Sequence, residues 1–192
     1  MERELIMTGI GGQGIQLACA VLARAAVDEG REVQVFGSYG GMMRGGPTES
    51  TMVVADSPVE APPTVGSAWS VVIMHHEHSE HALTCTTGDS VVLVNSTVIG
   101  DRSIRCQGTV IAVPASDLAV AVGHVMTASM VMVGAYAAVT DLVSLPSLIR
   151  ASTAALPAYR AQHSAMNIEA LRAGYASVPR GSSPAWPDRV AV

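Results

Sequence analysis

The run Gly9-Ile10-Gly11-Gly12-Gln13-Gly14 constrains this chain more than any other stretch. It follows a strand-like segment at residues 4–8. It precedes residues 15–28, whose Ala and Leu content and i, i+3, i+4 apolar spacing predict a helix that stops at Gly30. Glycines between a strand and a helix let backbone N–H groups approach a phosphate at the helix N-terminus. A dinucleotide site needs one thing more: an acidic residue about 20 positions on, at the end of the second strand, to bind the ribose hydroxyls. Here the second strand ends Val35-Phe36-Gly37-Ser38, with no acid. A free-standing nucleotide-binding oxidoreductase using Gly9, Gly11, Gly12, Gln13 and Gly14 is therefore the weaker reading, and a tight structural turn touching an anion the stronger.

The rest of the chain continues the alternation. Residues 33–36 read as a second strand, 37–46 as a glycine-rich loop and 48–55 as a third strand, after which Pro58, Pro62 and Pro63 stop regular structure. Short apolar runs at 69–74 and 90–94 have the character of strands buried on both faces, with a His-rich segment between them that has room for a brief helix. Residues 109–113 are the last clear strand. Ser116 or Asp117 then caps a short helix, 126–139 is apolar all round and reads as a buried helix, and Ser144 with Pro146 starts another. A final amphipathic helix spans 157–173, with Gly174 placed to end it. Alternating strands and helices imply α/β architecture: a doubly wound, mostly parallel sheet in a Rossmann-like single domain over residues 1–176. Residues 177–192 form an extended C-terminal tail that wraps a partner or stays disordered. In such sheets ligands collect beyond the carboxyl ends of the strands, where both glycine-rich loops fall.

Composition narrows the class. Hydrophobic residues make up 49% of the 192 and charged residues 14%, with a mean hydropathy of +0.36, which is apolar for a soluble protein. No run approaches the roughly 18 to 20 uninterrupted apolar residues a membrane span needs. The surplus is assigned to a buried sheet and a subunit interface, with the helix at 126–139 contributing surface to be covered by other subunits. The net charge is −5 and the basic residues are all Arg and scattered, so no stripe offers itself to a nucleic-acid backbone. Met1-Glu2-Arg3-Glu4 runs straight into a strand without an export signal, which points to the cytoplasm. Cys19, Cys85 and Cys106 are isolated and support neither a disulfide framework nor a metal-ligand pair; Cys19 reads as core.

Gly37-Ser38-Tyr39-Gly40-Gly41-Met42-Met43-Arg44-Gly45-Gly46-Pro47-Thr48 is the most informative stretch. Its glycines permit close approach to another surface, and Arg44 among them is a natural clamp for a carboxylate or phosphate, which a guanidinium holds with two hydrogen bonds. A flexible surface loop with a solvated Arg is the bland alternative. His75, His76, His78 and His81 with Glu77 and Glu80 raise a metal-binding regulatory module as a further alternative, but their spacing shares a face only if the segment is helical. A polar strand-to-helix connection whose histidines face solvent or a partner is the favoured reading.

Gly-x-Gly-Gly-Gln-Gly after the first strand, followed by Ser38-Tyr39-Gly40 and Arg44-Gly45-Gly46, resembles the signature of the gamma subunit of the pyruvate, 2-oxoglutarate and indolepyruvate:ferredoxin oxidoreductases. The run Met130-Val131-Met132-Val133-Gly134-Ala135 and the segment 167–175 look like the family's late helices, so the similarity covers residues 3–176. The resemblance implies an accessory subunit that is not catalytic alone. Its cofactor- or substrate-facing residues would be Gly9, Gly11, Gly12, Gln13, Gly14, Ser38, Tyr39, Gly40, Arg44, Gly45 and Gly46. It also implies thiamine diphosphate, Mg²⁺ and iron–sulfur clusters on alpha, beta and ferredoxin-like partners, with a 2-oxoacid and coenzyme A as the reactants. Gly88-Asp89-Ser90 is only a fragment of a diphosphate–magnesium motif.

Overall fold

The structure, a computed structural model, describes residues 1–39, 45–60, 64–156 and 163–186. Six strands form one sheet: β1 (Glu2–Ile10), β2 (Glu32–Tyr39), β3 (Pro47–Ala55), β4 (Ala68–Ile73), β5 (Thr86–Asn95) and β6 (Thr109–Val113). Their order is β2-β3-β1-β4-β5-β6. β1, β4, β5 and β6 run parallel, whereas β3 lies antiparallel between β1 and β2. β2 is therefore an edge strand, separated from β1 by β3. It continues three residues beyond the run at 33–36, so Gly37, Ser38 and Tyr39 belong to a strand rather than to the loop expected from their glycine content. Pairing of Ser38 with Glu49 and of Tyr39 with Thr48 holds them there.

Side-chain alternation splits the core into two layers. Leu5, Met7, Met52, Val54, Val72 and Leu93 face a thick layer of helices. Ile6, Val53, Val71, Ile73, Val92 and Val94 face a thin one made by α2 (Glu80–Thr84) and α3 (Ser96–Ile99). The thick layer holds α1 (Ile15–Asp28), α4 (Ala115–Val122), α5 (Ala128–Thr140), α6 (Leu145–Ala155) and α7 (Ser164–Ala176). α1 has the bounds its pattern predicts, and Ala18, Cys19, Leu22, Ala25 and Ala26 form its buried stripe. In α6, Ser144 caps the N-terminus by accepting from Ser147 N, as its pairing with Pro146 suggests.

α5 is the buried helix that its apolar circumference predicts. Every residue of the helix is buried within this chain, against α7 and the sheet, so its apolar circumference is used internally and is not the subunit-facing surface assigned to it. Gly174 does not end the last helix; it lies inside α7, where α5 and α7 touch backbone to backbone. A Cβ at Gly174 would stand 1.8 Å from the Val131 carbonyl oxygen, and one at Gly134 would stand 2.1 Å from that of Leu171.

The segment after α7 is extended, but through residue 186 it is not a free tail. Gly181 N, Ser183 N and Ala185 N donate to the carbonyls of Ala138, Val139 and Thr140 at 2.8, 3.0 and 2.6 Å. This satisfies the last turn of α5, whose carbonyls lack intrahelical partners. Arg3 Nε donates to Ala185 O, Trp186 Nε1 donates to Leu142 O, and the Arg31 guanidinium stacks on the Trp186 ring at 3.8 Å.

Glu29, just past α1, ties that helix to α6: its carboxylate accepts from Ser144 N at 2.9 Å and Ser144 Oγ at 2.7 Å. Burial pushes its pKa up, but hydrogen bonds from Ser147 and Ser144 outweigh that and hold it below the usual 4.5. Glu29→Gln should lower the thermal midpoint modestly at neutral pH. Because the folded pKa is the depressed one, the wild-type advantage is fully present above about 4.5 and disappears as pH falls through the folded value. Unfolding curves for both proteins across that range would show the gap closing.

Candidate functional site

The carboxyl end of β1 gathers most of the residues singled out by sequence. Across the sheet, Tyr39 of β2, Thr48 of β3 and Gly9 of β1 form one row of backbone partners. Beyond it, Gly11 N donates to Gly46 O at 2.8 Å and Gly45 N donates to Gly11 O at 3.2 Å. The two glycine-rich segments are thus hydrogen-bonded to each other. A Cβ on Gly11 would lie 3.3 Å from Gly45 N, so a side chain there would crowd the pairing. Gly40 and Arg44 lie outside the described residues.

Gln13 has a structural task. Its Oε1 accepts from Ile10 N at 2.9 Å and its Nε2 donates to Met74 O at 3.3 Å, joining the loop after β1 to the loop after β4. Both ends of its amide are engaged, so it acts as a staple rather than a ligand-facing group. Gly14 is left-handed at φ 78°, Gly12 has φ 103°, and no side chain caps α1. The first-turn amides of α1 therefore face outward with the positive end of the helix dipole.

Those amides border a cavity of about 610 Å³. Gly12, Gly14 and Gln16 form one wall, and Thr48 stands beside them. The opposite wall is made of residues from the N-termini of α5 and α7, Ser129, Met130, Met166 and Asn167, with His124, Met126 and His163 at its rim. Apolar surface dominates, and the methionines give a wall that adapts its shape. His124 Nδ1 accepts from Met126 N at 3.1 Å, which leaves Nε2–H as the outward donor. The runs 130–135 and 167–175 resemble the family's late helices in sequence, but nothing in them places Met130 or Asn167 at a site. His124, Met126, His163 and Met166 carry no local motif, and only the α5–α7 crossing brings them to the glycine loop.

The dinucleotide alternative fares worse in three dimensions. With β3 inserted between β1 and β2, the end of β2 is one strand removed from the position a ribose-binding acid would take. The His-rich segment forms a turn, not a helix, over residues 75–79. His75 and His76 stack at 4.5 Å, and Glu77 N donates to His75 Nδ1. Among the described residues no three His, Cys, Asp or Glu side chains converge as a metal set, and no helix is long and apolar enough to cross a membrane. Cys19 is core, with burial pushing its thiol up to about 12.

The sequence pattern of the pyruvate ferredoxin/flavodoxin oxidoreductase family matches residues 4–177. Among known proteins, the chain is 31% identical to the pyruvate synthase subunit PorC of Methanothermobacter thermautotrophicus, over 92% of this chain and 96% of that one. It is 28% identical to the 2-oxoglutarate synthase subunit KorC of Methanocaldococcus jannaschii, over 82% of this chain and 85% of the relative. The solved gamma subunit of a keto/oxoacid ferredoxin oxidoreductase from Geobacter sulfurreducens superposes with a TM-score of 0.77 at 25% identity, covering 92% of this chain and 96% of that one.

Proposed function

The chain belongs to the pyruvate ferredoxin/flavodoxin oxidoreductase family as a gamma-type subunit, and on that premise we propose that it supplies one wall of the chamber in which a 2-oxoacid:acceptor oxidoreductase complex handles its 2-oxoacid and coenzyme A. The observation that carries this reading is the 610 Å³ cavity lined by Gly12 and Gly14 of the first loop, whose neighbour Gly11 is hydrogen-bonded to Gly45 and Gly46. A chain whose two signature loops close on each other beside an apolar cavity is built to receive a molecule there, or to present that edge to a subunit that holds one. The outward amides of α1 and the Nε2–H of His124 suit anionic oxygens, and the methionine-rich wall suits an apolar arm.

The hard chemistry belongs elsewhere. Gly88-Asp89-Ser90, only a fragment of a diphosphate–magnesium motif, sits in strand β5. Thiamine diphosphate with Mg²⁺ is accordingly assigned to alpha and beta subunits and the iron–sulfur clusters to a ferredoxin-like subunit, in a cytoplasmic complex. When bound there, the thiamine ring would supply decarboxylation and the clusters would carry electrons away. This chain binds, orients and excludes water. Gly9, Gly11, Gly12, Gly14, Gly45 and Gly46 shape its contribution. Ser38 and Tyr39 at the end of β2, with Gly40 and Arg44 after them in sequence, are assigned the same task, and Gln13 holds the first loop in register.

The test uses the assembled complex with Met126→Glu, which places a negative charge on the exposed rim of the cavity. KM for coenzyme A or for the 2-oxoacid should rise about tenfold, the equivalent of roughly 1.4 kcal/mol, with Met126→Leu as the neutral control. Unchanged constants for both reactants in a correctly assembled Met126→Glu complex would remove the cavity from the reaction.

A further inference from the structure

A second cavity, of about 430 Å³, opens on the thinly covered face of the sheet and is walled in part by Phe36, Glu49, Val65 and His81. Glu49 reaches it because it shares a face of β3 with Val53, on the opposite side of the sheet from α1. Cys85 sits just behind the wall. At rest its S–H donates to the Val65 carbonyl at 3.7 Å, and Sγ lies 4.0 Å from Nε2 of His81, one helical turn earlier. The other nitrogen of that ring, Nδ1, is 3.3 Å from Glu49 Oε2. A carboxylate only accepts. Nδ1 therefore carries the proton and donates it to Glu49, and Nε2 turns its lone pair toward sulfur.

We infer that Glu49, His81 and Cys85 form a carboxylate–imidazole–thiol relay that makes Cys85 the reactive thiol of this chain, one that exchanges with small-molecule disulfides lodged in the second cavity. At rest burial raises the Cys85 pKa, and the Glu49 carboxylate adds to that against a hydrogen bond to Thr84. The resting group is a neutral thiol, so its reaction depends on a base within reach. His81 Nε2 takes the proton as Sγ attacks one sulfur of the incoming disulfide. The new S–S bond forms as the old one breaks, and the departing thiolate recovers the proton from the imidazolium. Cys85 is oxidised, the small disulfide is reduced, one small thiol is released, and His81 ends neutral. Glu49 stabilises the transient imidazolium, and the half-exposed Phe36 ring gives the bound disulfide an apolar wall.

The other two cysteines provide internal references. Cys19 is sealed in the core, and Cys106 is less buried than Cys85 but has no imidazole or carboxylate partner among the described residues. Exposure alone therefore ranks Cys106 first, whereas the relay ranks Cys85 first. The native, full-length protein is incubated with glutathione disulfide at pH 7 and the adduct at each cysteine is followed by peptide mass spectrometry. Cys85 should react about tenfold faster than Cys106. His81→Ala, a change at a largely exposed side chain, should slow Cys85 by about tenfold and leave Cys106 unchanged, and Glu49→Gln should slow it less. Equal or faster reaction at Cys106 in the wild type overturns the relay, as does an unchanged Cys85 rate in His81→Ala or His81→Gln.

Discussion

Replacing Gly174 with alanine is expected to cost about 3 kcal/mol of stability, at the upper end of what overpacking a core exacts. The added Cβ would stand 1.8 Å from the Val131 carbonyl oxygen, 2.6 Å from its carbon and 3.0 Å from Ala135 N. All three are backbone atoms of α5, so no side chain can rotate out of the way. The helices must move apart by roughly 1.5 Å, which forfeits much of the dispersion contact along their crossing. Gly134→Ala strikes the same crossing from the other side, 2.1 Å from Leu171 O, and the double variant should cost less than the sum because the first separation relieves the second clash. Urea unfolding monitored by circular dichroism gives the difference directly. A Gly174→Ala protein within about 0.5 kcal/mol of wild type would mean that the crossing is not tight. α7 also carries Met166 and Asn167 to the cavity, so a variant that still folds and assembles should bind the cavity's ligand more weakly.

Arg44→Ala should be the most damaging change to function that leaves the fold alone. β2 ends at Tyr39, and Gly45 is hydrogen-bonded to Gly11. Arg44 carries its permanent charge between these two positions in the sequence. If it clamps an anionic group of the 2-oxoacid or coenzyme A in a water-poor chamber, its removal costs about 2 to 5 kcal/mol in transition-state or ligand binding. Lysine keeps the charge without the bidentate fork and should lose only part of that. Steady-state kinetics of the assembled complex, varying each reactant separately, assigns the loss to one of them. Near-normal constants for both would leave the loop as a structural connector.

The parts of this molecule that read correctly from sequence are those governed by local periodicity. α1 and β6 have the bounds their patterns predict, because an amphipathic repeat or a short apolar run between breakers is decided within a few residues. The failures are long-range. Gly174 resembles a helix terminator because glycine usually is one. Nothing local says that Val131 will pass 1.8 Å from its missing Cβ. α5 looked like an interface because its apolar circumference is the same whether another subunit or α7 covers it. The Ser- and Pro-rich stretch after α7 reads as an extended tail that wraps a partner or stays disordered, yet Gly181, Ser183 and Ala185 donate to the α5 carbonyls. The candidate site divides along the same line. Its glycine loops were legible from the conformations they demand, while Ser129, Met166 and Asn167 come to the same cavity from helices far along the sequence.

The order of the sheet has a consequence for how such a chain fares in a cell. β2 and β6 stand at its two margins, and each shows apolar side chains to solvent, Val35 and Phe36 on one and Val110 on the other. Such margins are templates for further strands. A copy with both margins uncovered is therefore open to edge-on pairing with its own kind, a hazard set by the order of the strands and not by the packing of the interior.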